Sequence, residues 1–442
     1  MTKLILAVIT GLFAILLIDF ASFFPKTSAS AAQTASAPSP KESEQTRVTA
    51  YRLPPDLYRK AHNLGKIAFW GQLLGFFYSL IVLLLLLKSR AAPKIRDWAE
   101  KATSARFLQA VIFAPLFFLT LDVLMLPTSI FRQWVLKEYR LSIQGWGSWF
   151  WDWTKGEFVT YIAATILVWV LYSAIRKSPR RWWFYFWVAA VPLGIFYFFL
   201  TPWLIDPLFF KFEPLAQKDA PLTESLERMV QRAGENIPPE RMYWMGASAK
   251  LTDLNAYVTG IGASKRVVVW DTTIQKMTTP QIVYVAGHEM GHYVLQHIWK
   301  GLAFYSALVF VFFYLVFRMI GWILERNGAT WRILGVGDWA SLPAMLFLLS
   351  ILFFVASPIA TYYSRYLEHQ ADQYGLEVTH GLTPDSGQIG AQSFQVLGEV
   401  GLADPEPNPV DIFLYYDHPP FRIGCVSQSC MIPGRTAGEE SS

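Results

Sequence analysis

The stretch Gln281-Ile-Val-Tyr-Val-Ala-Gly-His288-Glu289-Met-Gly-His292-Tyr-Val-Leu-Gln-His297 sets two histidines and a carboxylate on one predicted helix in an apolar setting. At about 100° per residue, His288 and His292 lie roughly 40° apart on the helix surface, so both imidazoles can reach one ion. Glu289 sits one residue round. There a carboxylate can take a proton from a zinc-activated water and return it to the leaving amine. These residue types in this order point to a zinc-hydrolase site. Thr279 is the expected N-cap, and Pro280 suits the first helical position. The bland alternative is a helix that merely carries two histidines. With seven His in the chain, a random His-Glu-x-x-His is expected in well under roughly 1 in 100 chains of this length. His297 is turned roughly 140° from the second ligand, as a bystander or a support for it. Its spacing also argues against the metzincin pattern, whose third His follows a glycine.

The surroundings are membranous. The 442 residues are 53% hydrophobic and 16% aromatic, with mean hydropathy +0.30, too apolar for an ordinary soluble enzyme. The net charge of +5 and pI near 9.0 do not imply a nucleic-acid partner, because the basic residues cluster at the ends of apolar runs. Cys425 and Cys430 are the only cysteines, so any metal must use His and carboxylate.

Residues 1–24 read as a leader or first transmembrane helix, Leu4 to Phe24 being apolar except for Asp19. Residues 25–66 read as a linker and amphipathic lead-in. Apolar spans at roughly 67–87, 108–131, 157–176, 182–204, 302–324 and 339–360 are each long enough to cross about 30 Å of hydrocarbon. The first four fill 67–204, and the last two fill 302–360. Pro115, Pro127, Pro192, Pro343 and Pro358 lie in them, which suits kinked helices around a polar interior or simply tight packing.

The water-facing segment 205–301 carries the chemistry. Leu222, Leu226, Met229 and Val230 recur at helical spacing from Pro221 to about Ala233, ahead of Gly234. Met242–Met245, Leu254–Thr259 and Arg266–Trp270 are strand-like, the last two joined as a hairpin through 260–265. Such a sheet beside the metal helix offers an edge on which an extended peptide can add as a strand.

Two histidines and a water leave the site incomplete, so a third side chain is required. In 361–400, Ser364-Arg365-Tyr-Leu-Glu368-His369-Gln-Ala371-Asp372 continues the last span, with Glu368 and Asp372 on one face. Glu368 is the expected ligand and His369 its rival. Asp372 would hold a ligating imidazole in the right tautomer. The bland alternative is a solvated helix end with an Arg365–Glu368 pair.

At this point the chain resembles the type I CAAX prenyl proteases, membrane zinc endopeptidases of the gluzincin group that trim isoprenylated C-termini. The likeness runs through Leu53-Pro-Pro-Asp56, Lys137-Glu-Tyr-Arg140, Ile205-Asp-Pro-Leu-Phe-Phe-Lys-Phe-Glu-Pro214, Asn255-Ala-Tyr257 and Lys265-Arg-Val-Val-Val-Trp-Asp271-Thr272. It continues through the HEMGH core, Ser364-Arg365-x-x-Glu368-x-x-Ala371-Asp372 and His418-Pro-Pro420 in the 401–442 segment. The resemblance implies an α-helical polytopic membrane protein: about seven transmembrane helices in a barrel around a chamber, with a small α+β zinc-protease domain. It implies one Zn2+ per chain on His288, His292 and Glu368, with Glu289 as general base. It further implies that Asn255 and Ala256 hold the substrate backbone and that His418 stabilises the oxyanion. Without it, His418 reads as a loop residue stiffened by Pro419 and Pro420.

The tail departs from the family pattern. The family's arginine six residues after the His falls on Gly424, Arg422 is assigned no role, and a truncated or frame-shifted end after about 422 is expected. The implied partners are a peptide or protein substrate, prenylated at its C-terminus in the CAAX reading, and the lipid bilayer. Broader membrane quality-control proteolysis is the alternative within the enzyme class. A transporter or scaffold with a vestigial motif is the alternative outside it, and it predicts no zinc. Location is a bacterial inner or plasma membrane, or the endoplasmic reticulum of a eukaryote. Lys and Arg in the short loops, about six in 88–107 and four in 176–181 against four in 132–155, put the zinc domain outside. The resemblance to eukaryotic members implies a cytosol-facing site, and orientation stays open at this point.

Overall fold

Each of the six apolar spans forms a helix in the computed structural model, which describes residues 47–421. They are α1 (Pro55–Lys88), α3 (Arg106–Glu138), α4 (Trp146–Lys177), α5 (Trp182–Leu200, prolonged by irregular turns to Leu208), α8 (His297–Trp331) and α9 (Leu342–Thr379). The short α2 (Ala91–Ala102) links the first two. Helix α1 begins at Pro55, so residues 55–66, expected as a lead-in, are its first three turns. Extended Pro54 followed by a proline at the first helical position sets that start. The leader 1–24 and the tail after 421 lie outside the described residues.

Side-chain character decides what each span faces. On α1, Trp70, Leu74, Phe77, Ile81 and Leu85 form an exposed apolar stripe at three- and four-residue spacing, while Phe76, Val82, Leu83 and Leu86 are buried. Such a stripe suits hydrocarbon and not water. Neighbours pack in chain order, α1 on α3, α3 on α4, α4 on α5, α5 on α8 and α8 on α9, and α9 returns to α1, closing a ring.

Between α5 and α8 the chain builds the small domain. Helix α6 (Ala220–Arg232) starts where the Asp219 carboxylate accepts the Leu222 N–H at 2.9 Å. Strands β1 (Phe212–Pro214), β2 (Met242–Met245), β3 (Ala256–Thr259) and β4 (Arg266–Trp270) form one sheet in the order β1-β2-β4-β3. The predicted hairpin is β3–β4, antiparallel from Ala256 opposite Val269 to Thr259 opposite Arg266. Its turn needs Gly260: φ is +95°, and a Cβ there would sit 2.3 Å from the Ser264 carbonyl oxygen. Val258, Val267 and Val269 pack with Leu222, Leu226 and Met229 of α6 against Ile282, Ala286 and Met290 of α7 (Thr279–Val294).

Helix α7 starts one residue earlier than expected. Its N-cap is Thr278, whose N–H is bonded at 2.9 Å by the Gln281 side chain, and Thr279 and Pro280 are its first two residues. The glutamine three residues on, able to fold back, selects Thr278 over Thr279. The 361–400 segment is divided: α9 runs to Thr379, and α10 (Ser386–Val400) is a separate helix that packs on α7.

Candidate metal centre

Helices α7 and α9 cross in close contact because glycines face the crossing. A Cβ on Gly287 would lie 2.9 Å from Val378 Cγ1, and one on Gly291 would lie 3.3 Å from Ala371 Cα. From the other helix, a Cβ on Gly375 would lie 3.2 Å from the His288 nitrogen. Small residues four apart let two helix backbones approach. This approach brings a carboxylate two turns before Gly375 to histidines that are nearly 80 residues away in sequence.

Three donor atoms converge there. His288 Nε2 and His292 Nε2 are 3.3 Å apart, and Glu368 Oε2 lies 3.3 Å from the first and 3.5 Å from the second. In a tetrahedral zinc site with bonds of about 2.0–2.1 Å, ligand atoms stand about 3.3–3.4 Å apart. The donor set therefore fits zinc in size and type, and Glu368 and His292 are fully buried. Glu289 is buried beside them on α7. His369 is exposed on the far side of α9, bonded to Gln373, and does not join the cluster.

Each imidazole is held from behind. His288 Nδ1 is 2.9 Å from Asp372 Oδ1, so Nδ1 donates and Nε2 keeps its lone pair for the cluster. Burial opposes charge on His288, but the bonds to Asp372 and Glu368 outweigh it and hold its pKa up at about 10. The site thus favours a cation, whether proton or metal. His292 is supported by His297, Nδ1 to Nδ1 at 3.1 Å, and His297 Nε2 lies 3.2 Å from Gln370 Oε1. The Gln370 amide nitrogen in turn donates to Tyr366 at 3.2 Å, which aims Oε1 at His297. One proton arrangement satisfies this relay: His297 donates to Gln370, His292 donates to His297, and His292 Nε2 faces the cluster as an acceptor. Five-residue spacing on one helix hid this, because α7 ends at Val294 and His297 opens α8 from a left-handed Gln296.

The C-terminal segment folds back onto the same place. The Arg365 guanidinium is engaged with main-chain oxygens of this segment. It donates to the carbonyls of Ile412, at 2.9 Å, and Tyr416, while Thr361 one turn earlier donates to Phe413 at 3.0 Å. These bonds set the chain so that His418 Nδ1 comes within 3.2 Å of Glu368 Oε2, its side chain still 42% exposed. An arginine three residues before a ligand is the signal in the sequence, read there only as the partner of Glu368 in a solvated helix end.

Asn255 and Ala256 are placed at the edge of the sheet beside α7. Asn255 exchanges two bonds of 2.8 Å with the Thr273 hydroxyl, and its carbonyl accepts the Trp270 N–H at 3.0 Å. Asp271 holds the preceding loop through the N–H groups of Ala247 and Ser248. β3 has one strand neighbour, β4, and Tyr293 of α7 donates to the Gly260 carbonyl at 2.9 Å, which ties helix to hairpin.

Comparisons with known proteins agree with this architecture. Residues 216–420 match peptidase family M48, and residues 40–211 match the CAAX prenyl protease N-terminal region with five membrane helices. The chain is 36% identical over 323 residues to "Uncharacterized metalloprotease YhfN" of Bacillus subtilis (strain 168), covering 73% of this chain and 74% of that one. It is 26% identical over 313 residues to "CAAX prenyl protease 1" of Saccharomyces cerevisiae, covering 64% and 68%. The crystal structure of Ste24p from S. mikatae has the same fold, with TM-score 0.74, 21% identity, and 97% and 98% of the two chains covered. A ring of membrane helices, a small sheet domain and a His-Glu-x-x-His helix crossed by a carboxylate helix thus have one common explanation: the chain belongs to peptidase family M48, among its CAAX prenyl protease relatives, and is a multi-pass membrane metalloprotease.

Proposed function

We propose that the chain is a zinc endopeptidase that cuts an extended peptide laid along the β3 edge. The observation that carries this is the triangle of His288 Nε2, His292 Nε2 and Glu368 Oε2, with the outer nitrogen of each imidazole already engaged. His288, His292 and Glu368 would hold the zinc, which when bound supplies Lewis acidity that makes water a better nucleophile and polarises the scissile carbonyl. Glu289, one residue beyond the first ligand, takes the proton of the attacking water and passes it to the leaving amine. Asp372 keeps His288 in the tautomer whose Nε2 is an acceptor. His418, partly exposed beside Glu368, donates to the oxyanion that develops on the substrate carbonyl. Asn255 and Ala256 present main-chain groups to the substrate strand.

The C-terminus of CAAX-type prenylated proteins is the first substrate class in this reading, which the name of the yeast relative supports. Strand addition reads main chain more than side chains, which favours a second reading: broader cleavage of membrane and secreted polypeptides. Incubation of the purified protein with a farnesylated CAAX peptide and with an unmodified unfolded chain separates the two. Glu289→Gln should keep the metal and lower cleavage by about 10²–10⁴-fold, because a base is lost but not a ligand. Glu368→Ala should lower zinc content itself. Full zinc occupancy in purified Glu368→Ala would remove Glu368 from the ligand set.

A further inference from the structure

The β3 edge is tied to the membrane helices as well as to the metal domain. Past its last residue, Tyr293 of α7 holds the Gly260 carbonyl at 2.9 Å. Ahead of its first residue, the segment 246–254 is gripped by the connection between α3 and α4. Ser142 and Leu251 form an antiparallel bridge, the Ile143 N–H donates to the Lys250 carbonyl at 3.0 Å, and the Thr252 hydroxyl donates to the Arg140 carbonyl at 2.8 Å. Beside this bridge the Lys250 side chain reaches the second turn of α4. Its Nζ donates to Asp152 Oδ2 at 2.5 Å and to the Phe209 carbonyl at 2.6 Å. Asp152 also accepts from Lys155 at 2.9 Å and from the Gln144 amide nitrogen at 2.6 Å. The connection is itself fixed from α3, where Lys137 donates to the Gln144 carbonyl at 2.7 Å and Gln133 to the Ser142 hydroxyl at 3.0 Å. Lys250 and Asp152 are largely buried, with side chains 18% and 17% exposed.

We propose that Lys250 and Asp152 are positioning residues for the substrate: they fix the approach to β3, so that its edge is ordered before a peptide pairs with it. This rests on the strand-addition reading above. Neither residue belongs to the donor triangle of His288, His292 and Glu368, yet Asn255 follows Lys250 by only five residues. A peptide that pairs with a loose edge must order that edge as it binds, and each residue so ordered weakens the net affinity. A carboxylate that accepts from two ammonium groups and an amide is a stiff anchor, because hydrogen bonds between charged partners are short and strong. Asp271 holds the same segment from the sheet side, through the N–H groups of Ala247 and Ser248, so the approach to β3 is clamped between the metal domain and α4. The water-activating groups stand on α7 and α9, so the pair acts on substrate affinity and not on the chemical step.

Steady-state cleavage and amide hydrogen exchange on the full chain in detergent test this with Lys250→Met, Lys250→Arg and Asp152→Asn. The substrate is whichever of the farnesylated CAAX peptide and the unmodified unfolded chain the wild type cuts. Lys250→Met keeps most of the side chain's length and removes its charge. It should raise KM by roughly tenfold, about the worth of one hydrogen bond to a charged group, with kcat and zinc content unchanged. Lys250→Arg, which still pairs with a carboxylate, should recover most of that loss. Amides of 246–259 should exchange faster in Lys250→Met and Asp152→Asn than in the wild type. Unchanged KM together with unchanged exchange overturns the proposal. So does a parallel fall in zinc content, kcat and thermal stability, which would make the pair a part of general packing. Faster exchange in these variants, where the wild type cuts neither substrate, would support the anchoring and count against the proteolytic function alone.

Discussion

Gly375→Ala tests whether the helix crossing itself builds the metal site. The added Cβ would meet His288 N at 3.2 Å, its Cα at 3.3 Å and its Cβ at 3.4 Å, two of them backbone atoms of α7 that cannot rotate away. Carbon contacts are most favourable at about 3.5–4.0 Å, so α7 and α9 must separate by a few tenths of an ångström. Over-packing of this kind typically costs about 1–3 kcal/mol. Part of that strain is relieved when the helices part. Drawing His288 and Glu368 back to a separation of about 3.3 Å restores it, so it appears as weaker metal binding. At about 1.4 kcal/mol per tenfold, zinc affinity should fall by roughly 5- to 150-fold. Chelator competition on the detergent-purified protein measures this, with thermal unfolding alongside. Gly321→Ala on α8 is the control: nothing lies within 4 Å of its Cβ, and zinc affinity should not change. Wild-type zinc affinity and thermal stability in Gly375→Ala would refute the claim that close packing sets the ligand spacing.

Two further substitutions separate the supports of the site. His297→Leu removes the acceptor for His292 Nδ1–H and should weaken zinc binding by about 10–100-fold, while His297→Asn, whose Oδ1 replaces that acceptor, should recover part of the loss. Equal zinc affinity in both would mean that the relay from Gln370 does not orient His292. Arg365→Met cuts two bonds to carbonyls of the 412–416 segment. It should raise limited proteolysis between 401 and 421 and lower peptide cleavage, yet leave zinc content unchanged because Arg365 touches no ligand. Zinc loss in that variant would show that the segment holds the metal as well as the substrate.

The parts legible in the sequence were those encoded by local periodicity. Six apolar runs of sufficient length become six spans, and the His-Glu-x-x-His spacing places two imidazoles on one helical face whatever surrounds them. The 260–265 turn and the strand-like runs rich in Val and Tyr on either side specify the hairpin. Helix ends were less legible: Thr278 rather than Thr279 caps α7, and α1 reaches back to Pro55, because capping depends on which side chain can fold back and on proline geometry.

Sequence alone therefore determined that this chain enters a membrane and carries a metal-hydrolase motif, since the first follows from apolar runs of about 20 consecutive residues and the second from residues about one helical turn apart. Only the tertiary structure decided which imidazole Asp372 supports, that His297 backs His292, that Arg365 steers His418 to Glu368, and that the acidic 361–421 segment shares an end with the metal helix. Those pairings depend on how closely α7 and α9 approach, and that distance is set by glycines and their opposing side chains on helices far apart in the chain. Periodicity reports which face of a helix is apolar, not what that face will meet.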